Sequence, residues 1–83
     1  MTPLSPAVEE RVALVFAPDE REKVRQILIE QCGENVPRWH MAGMDRMRFA
    51  VLKLSEGKVE KLERAISLAK ADVRNVLVWS GLG

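Results

Sequence analysis

Apolar side chains recur every three or four residues along most of the chain, which is the spacing that places them on one face of a helix. The first such seam lies within residues 18–32 and consists of Val24, Ile27, Leu28 and Cys32. Pro18 suits the first turn of a helix because its missing N–H has no partner there, and Asp19 and Glu20 favour the positive end of the helix dipole. These features predict a helix over about 18–32, ended by Gly33.

Two further helices are predicted in the second half of the chain. Asp45 is expected to cap a helix over about 46–55, whose main seam is Met47, Ala50, Val51 and Leu54. Phe49 and Leu52 project from its other sides, and a helix that is apolar on most of its circumference lies at the centre of a fold or has a second partner. The next helix, over about 58–71, has one apolar face made of Val59, Leu62, Ala65, Ile66 and Ala69.

The last segment, 73–80, combines features of two kinds of structure. Its apolar run over 76–79 has strand propensity, whereas Asp72 before it and Gly81 after it are typical of a short capped helix. We predict a helix. As a strand, the segment would pair with residues 11–16.

Residues 11–16 depart from the helical spacing. The run is β-branched and aromatic, ends before a proline, and places Val12, Leu14 and Phe16 on the same side of an extended chain. It is therefore predicted to be a strand. The dipeptide Ser5-Pro6 leaves a helix as the alternative, with Ser5 as its N-cap.

The predicted fold is α+β and mostly α-helical, with one N-terminal strand followed by about four helices. Residues 1–7 hold two prolines and no apolar periodicity, and they are predicted to form a flexible arm. This leaves a single small domain over residues 8–83. A chain of this length buries only about 60–65% of the surface that its unfolded state exposes, so we expect a small core and modest stability.

Composition and charge narrow the cellular context. No apolar run approaches the ~18–20 residues that span a membrane, and the N-terminus lacks the cationic and apolar regions of a signal peptide. One cysteine cannot form an internal disulfide, which is typical of a protein in the reducing cytoplasm. Together these features predict a cytoplasmic protein without a membrane partner. The net charge is +1, too close to zero to indicate a nucleic-acid partner.

Three segments in the second half of the chain carry a likeness to other proteins: Met47–Gly57, Leu62–Lys70 and Asp72–Val78. Together, with a weaker echo over Cys32–Pro37, they resemble a group of small uncharacterised bacterial proteins. The resemblance covers residues 44–83. Members of the group often have an aromatic residue after the capping aspartate, where this chain has Val73. The resemblance implies a bacterial cytoplasmic protein and assigns no activity and no site residue.

The chain offers few side chains for catalysis. It has one histidine, one cysteine and no tyrosine, so a nucleophilic pair would have to be Cys32 with His40. No motif supplies the orienting group and the oxyanion site that such a pair needs. Cys32 ends the apolar seam of the 18–32 helix, where a thiol behaves as a small apolar group, and we expect it to be buried and unreactive. We predict that the protein is not an enzyme and uses no cofactor.

A soft-metal site is a further hypothesis. One histidine stands next to a methionine series with a spacing of three: His40, Met41, Met44 and Met47. Thioethers and imidazole suit Cu(I). Methionine more commonly fills irregular gaps in a core, and we favour that role here.

Nucleic-acid binding is the alternative function. The predicted helices over 58–71 and 73–80 together form a helix-turn-helix-like unit over 58–80. The turn lacks the usual glycine, and the second helix offers only Arg74 and Asn75 to contact bases. An ordinary helical hairpin is favoured, and no specific duplex binding is expected.

Three aromatic side chains are candidates for contacts with a partner protein: Trp39, Phe49 and Trp79. Large aromatic side chains anchor interfaces or cover the core of a small domain.

The lone predicted strand is a second reason to expect a partner. It leaves N–H and C=O groups unpaired at both edges, and pairing with a second copy of the chain would satisfy one edge. The predicted function is a non-enzymatic interaction or accessory protein that binds another protein or itself, with a homodimer as the expected assembly.

Overall fold

Five α-helices make up most of the computed structural model, which describes residues 3–81. They are α1 (Pro6–Val15), α2 (Pro18–Gln31), α3 (Met44–Ser55), α4 (Val59–Ala71) and α5 (Val73–Ser80), with one 3₁₀ turn (Trp39–Met41) before α3. Within that range there is no strand. The domain is all-helical, and the α+β prediction is wrong.

Residues 11–15 of the predicted strand form instead the second half of α1, and Phe16 is the C-cap of that helix. Ser5 is its N-cap, with Oγ accepting a hydrogen bond from the Val8 N–H at 3.2 Å, and a proline follows in the first turn. Burial in this segment has a period of four: Val12 and Phe16 are buried while Leu14 is 73% exposed. The alternation of apolar residues at 12, 14 and 16 therefore does not reflect a strand. The N-cap and the apolar residues that recur every four positions from Leu4 onward determine a helix.

The segment predicted to be a flexible arm contacts the domain from Pro3 onward. Leu4 is buried in the core cluster, and Ser5 Oγ donates a hydrogen bond to Asp45 Oδ2 at 2.8 Å. Pro6 already belongs to α1. Met1 and Thr2 lie outside the described residues.

Helix α3 occupies the centre of the domain and packs against α1, α4 and α5. Its central place matches the expectation from its nearly all-round apolar surface, since its buried side chains lie on several sides: Met47, Arg48, Ala50, Val51, Leu52 and Ser55. The helix begins two residues before the predicted start. Gly43 is its N-cap, so Asp45 lies in the first turn, where its carboxylate accepts the Ser5 hydrogen bond.

Helices α4 and α5 follow the predicted boundaries closely and are separated by one residue, Asp72. The carboxylate of Asp72 caps α5 by accepting the Arg74 N–H at 3.0 Å, and Gly81 ends the helix with a positive φ of 80°. The 76–79 run is helical, as predicted. Among residues 3–81, no helix is both long and apolar enough to cross a membrane.

Candidate interaction surface

The outer face of α5 carries the largest exposed aromatic side chain of the domain. Val73, Val76 and Ser80 are spaced three and four residues apart and face inward, so the helix turns its remaining residues toward solvent. As a result Trp79 is 71% exposed and Val78 is 70% exposed. Neither side chain contributes to the buried core.

Trp79 forms one wall of a shallow groove between α5, α4 and the end of α3. The groove has a volume of about 200 Å³, and its lining is Leu54, Glu56, Lys61, Arg64, Ala65, Leu68 and Trp79. We call these seven residues the Trp79 surface. Its apolar residues include the buried Ala65 and the half-buried Leu54, whereas Glu56 and Arg64 are exposed. We call the three charged residues, Glu56, Lys61 and Arg64, its charged rim; an apolar centre with a polar rim is typical of a protein-contact surface.

The charged rim of the Trp79 surface has one ion pair and one surplus cation. Lys61 Nζ lies 3.2 Å from Glu56 Oε1, so these two charges offset each other. Arg64 is exposed. The structure gives its guanidinium no hydrogen-bond or ion-pair partner among residues 3–81. The rim is therefore cationic beside an exposed tryptophan.

Known proteins add nothing to this picture. No protein-family profile matches the chain, and no curated protein and no solved structure is similar to it. The residues of the Trp79 surface are therefore the basis for a functional proposal.

The other two aromatic candidates are less available to a partner than Trp79. Trp39 is half-buried on the 3₁₀ turn, packs against the core and contacts the His40 ring edge-on at a centroid distance of 6.2 Å. Phe49 is half-buried on α3, and the Arg11 guanidinium carbon lies 5.8 Å from the centre of its ring. Helix α1 thus packs against the side of α3 that carries Phe49.

The histidine and methionine candidates for a copper site differ widely in exposure. Met47 is fully buried in the core, Met44 is half-buried at the start of α3, and His40 and Met41 are exposed. Over residues 3–81, no three His, Cys, Asp or Glu side chains are grouped so as to hold a metal ion. Met47 is packed in the core cluster, the position that a gap-filling methionine would have.

Cys32 lies at the end of α2 and is fully buried, as predicted, whereas His40 is exposed. Its backbone carbonyl accepts a hydrogen bond from Arg48 Nε at 2.9 Å. Burial raises the pKa of the Cys32 thiol from 9.0 to about 12, although the nearby Arg48 charge opposes the shift. A neutral, inaccessible thiol is a poor nucleophile.

We expect Cys32 to react with a thiol reagent far more slowly in the folded chain than in the unfolded chain. At pH 8 the raised pKa lowers the thiolate fraction about a thousandfold, and burial blocks access as well. Because only the folded state raises this pKa, unfolding should also become easier as the pH rises above 9. Labelling with and without denaturant tests this. Equal rates would contradict the burial.

The helix-turn-helix-like unit over 58–80 presents little polar surface for reading bases. The guanidinium of Arg74 is bound to its own cap residue, with Nη2 2.8 Å from Asp72 Oδ2. Asn75 is exposed beside it, and the rest of the outward face is the apolar pair Val78 and Trp79. This face is better suited to an apolar partner than to a DNA groove.

The most deeply buried charge, Arg48, is absent from the sequence-based candidates. Its guanidinium joins two distant segments by donating to Cys32 O at 2.9 Å and to Pro3 O at 3.1 Å. Gly33 leaves room for it, because a Cβ there would lie 3.3 Å from Arg48 Nη2. Burial lowers the pKa of Arg48. The sequence held one indication of this burial. Arg48 lies three and four residues before Val51 and Leu52, so it is on an apolar face of the helix.

Proposed function

We propose that this chain is a non-enzymatic interaction module that binds a partner protein through the Trp79 surface. The observation that carries the proposal is the 71% exposure of Trp79 beside an apolar groove in a domain of only 83 residues. Tryptophan is the side chain most enriched among interface residues that dominate binding energy.

The energetics of this position favour contact with a partner. Burying a large apolar side chain is worth about 1.5–3 kcal/mol, and the fold forgoes most of this contribution at Trp79. The neighbouring Leu68 and Val78 are also among the exposed large hydrophobic side chains. An apolar patch with a charged rim indicates a contact surface more strongly than scattered single residues do.

A homodimer formed by strand pairing is not supported by this fold. It required a lone strand with open edges, and residues 11–15 lie instead in α1, where the backbone hydrogen bonds are made within the helix. Phe49, the second support, is partly covered by Arg11. The Trp79 surface therefore takes the place of both features as the basis of the interaction.

The proposal predicts that a partner in the source cell depends on Trp79. We expect an extract passed over the immobilised chain to yield at least one stoichiometric protein, and Trp79→Ala to lower its retention about 30-fold, as for an interface residue worth 2 kcal/mol. Leu14→Ala is the matched control, since Leu14 is equally exposed on a different helix.

Both variants should keep the wild-type free energy of unfolding within about 0.5 kcal/mol, because neither side chain is part of the core. A set of retained proteins that is the same for wild type and Trp79→Ala would contradict the proposal, and so would a loss caused equally by Leu14→Ala. Titration of the purified partner against each chain then gives the affinity directly.

A further inference from the structure

We infer that the partner of the Trp79 surface is an acidic amphipathic segment, with apolar side chains that enter the groove and an Asp or Glu that pairs with Arg64. The inference rests on the proposed function and adds the chemistry of the partner. The juxtaposition of Arg64 and Trp79 in one groove carries it.

The guanidinium of Arg64 is the group that selects charge. It is exposed, it lines the groove, and it has no partner among the described residues. A guanidinium presents a planar set of donors that matches a carboxylate in bidentate fashion. A carboxylate on the bound segment would therefore gain two parallel hydrogen bonds at the edge of an apolar contact.

The other two charged residues of the rim do not alter the preference of Arg64 for a carboxylate, because they offset each other. Glu56, the one acidic residue of the Trp79 surface, is paired with Lys61 at 3.2 Å. An acidic segment therefore meets one uncompensated cation and no uncompensated anion in the groove. A basic segment would meet Arg64 with no unpaired acid among the lining residues to offset the repulsion.

A second copy of the chain fits this surface less well than an acidic segment. A symmetric pair brings the same patch of both copies together, which puts two Arg64 cations and no unpaired acid of the Trp79 surface into one interface. Like charges across an interface are unfavourable. The surface is thus complementary to a partner of opposite charge and not to itself.

The test uses a library of random 16-residue peptides displayed on phage and selected on the full chain, with Trp79→Ala chain as the counter-selection. We expect the recovered peptides to be apolar with net negative charge. Titration of a recovered peptide should show at least a tenfold loss of affinity for Arg64→Glu. Lys23→Glu, which makes the same change of charge at an exposed cation of α2, is the matched control and should leave the affinity unchanged.

The outcomes separate the inference from the proposed function. Trp79-dependent peptides that are neutral or basic, or that bind Arg64→Glu as well as wild type, would overturn the acidic partner and keep the interaction surface. The absence of any Trp79-dependent peptide would overturn both. Displacement of the peptide by an equal concentration of a single-stranded oligonucleotide would assign the surface to nucleic acid, and a Trp79-dependent dimer in sedimentation equilibrium would assign it to a second copy.

Discussion

Replacing Arg48 with methionine should lower the free energy of unfolding by about 3 kcal/mol. The guanidinium is inaccessible to solvent and donates hydrogen bonds to the carbonyls of Cys32 and Pro3. Exchanging a buried ion pair for apolar side chains is often harmless because both charges leave together. Here the acceptors belong to the backbone and remain, and each buried acceptor that loses its donor costs about 1–3 kcal/mol.

Urea denaturation of wild type, Arg48→Met and Lys53→Met measures this effect. Lys53 lies on the same helix but is exposed, so its replacement should change the free energy of unfolding by less than about 0.5 kcal/mol. Arg48→Lys keeps the charge but lacks the planar donor set, and we expect an intermediate loss. Equal stability of Arg48→Met and Lys53→Met would show that the buried guanidinium does not hold these segments together.

Gly57→Ala should destabilise the domain by about 2–4 kcal/mol. The residue has φ of 78°, a conformation that costs an L-residue about 1–2 kcal/mol. An added Cβ would also lie 2.9 Å from the carbonyl oxygen of Val15, a backbone atom that has no freedom to move aside. The turn between α3 and α4 therefore approaches the end of α1 too closely for any side chain.

Gly81→Ala separates the two contributions. Gly81 has nearly the same φ, 80°, but an added Cβ there would meet only the flexible end of Lys53 at 3.7 Å. Its replacement should cost about 1–2 kcal/mol, the conformational contribution alone. Thermal unfolding of both variants checks the difference, and equal shifts in Tm would contradict the close approach at Gly57.

Helical spacing in the sequence was enough to predict α2, α4 and α5, because each has a long seam or a clear cap. It failed at α1, where three alternating apolar residues suggested a strand. Propensity over six residues is a weak indicator, and burial against α3 overrides it. A window beginning at Leu4 would have included the i, i+4 stripe of Leu4, Val8, Val12 and Phe16, which is the face that is buried.

The candidate site was only partly predictable for a related reason. Trp79 is identifiable as a large aromatic residue, but its exposure follows from which face of α5 is buried, a property of the packing. Trp39 and Phe49 are also large aromatic residues, yet both are half-buried in the fold. The cationic rim arises from Arg64 on α4, fifteen residues from Trp79, and no local pattern relates the two. The role of Arg48 is hidden likewise, because its acceptors lie 16 and 45 residues away.

Quenching of Trp79 fluorescence by acrylamide tests the interaction surface most directly. The chain has two tryptophans, so Trp39→Phe leaves Trp79 as the only reporter. In the free chain we expect quenching close to that of an unfolded control, since the side chain is 71% exposed. A saturating acidic peptide from the selection should protect Trp79 at least severalfold, because contact with the groove removes it from solvent. Strong protection in the free chain, or quenching that the bound peptide leaves unchanged, would contradict the assignment of Trp79 as the contact residue.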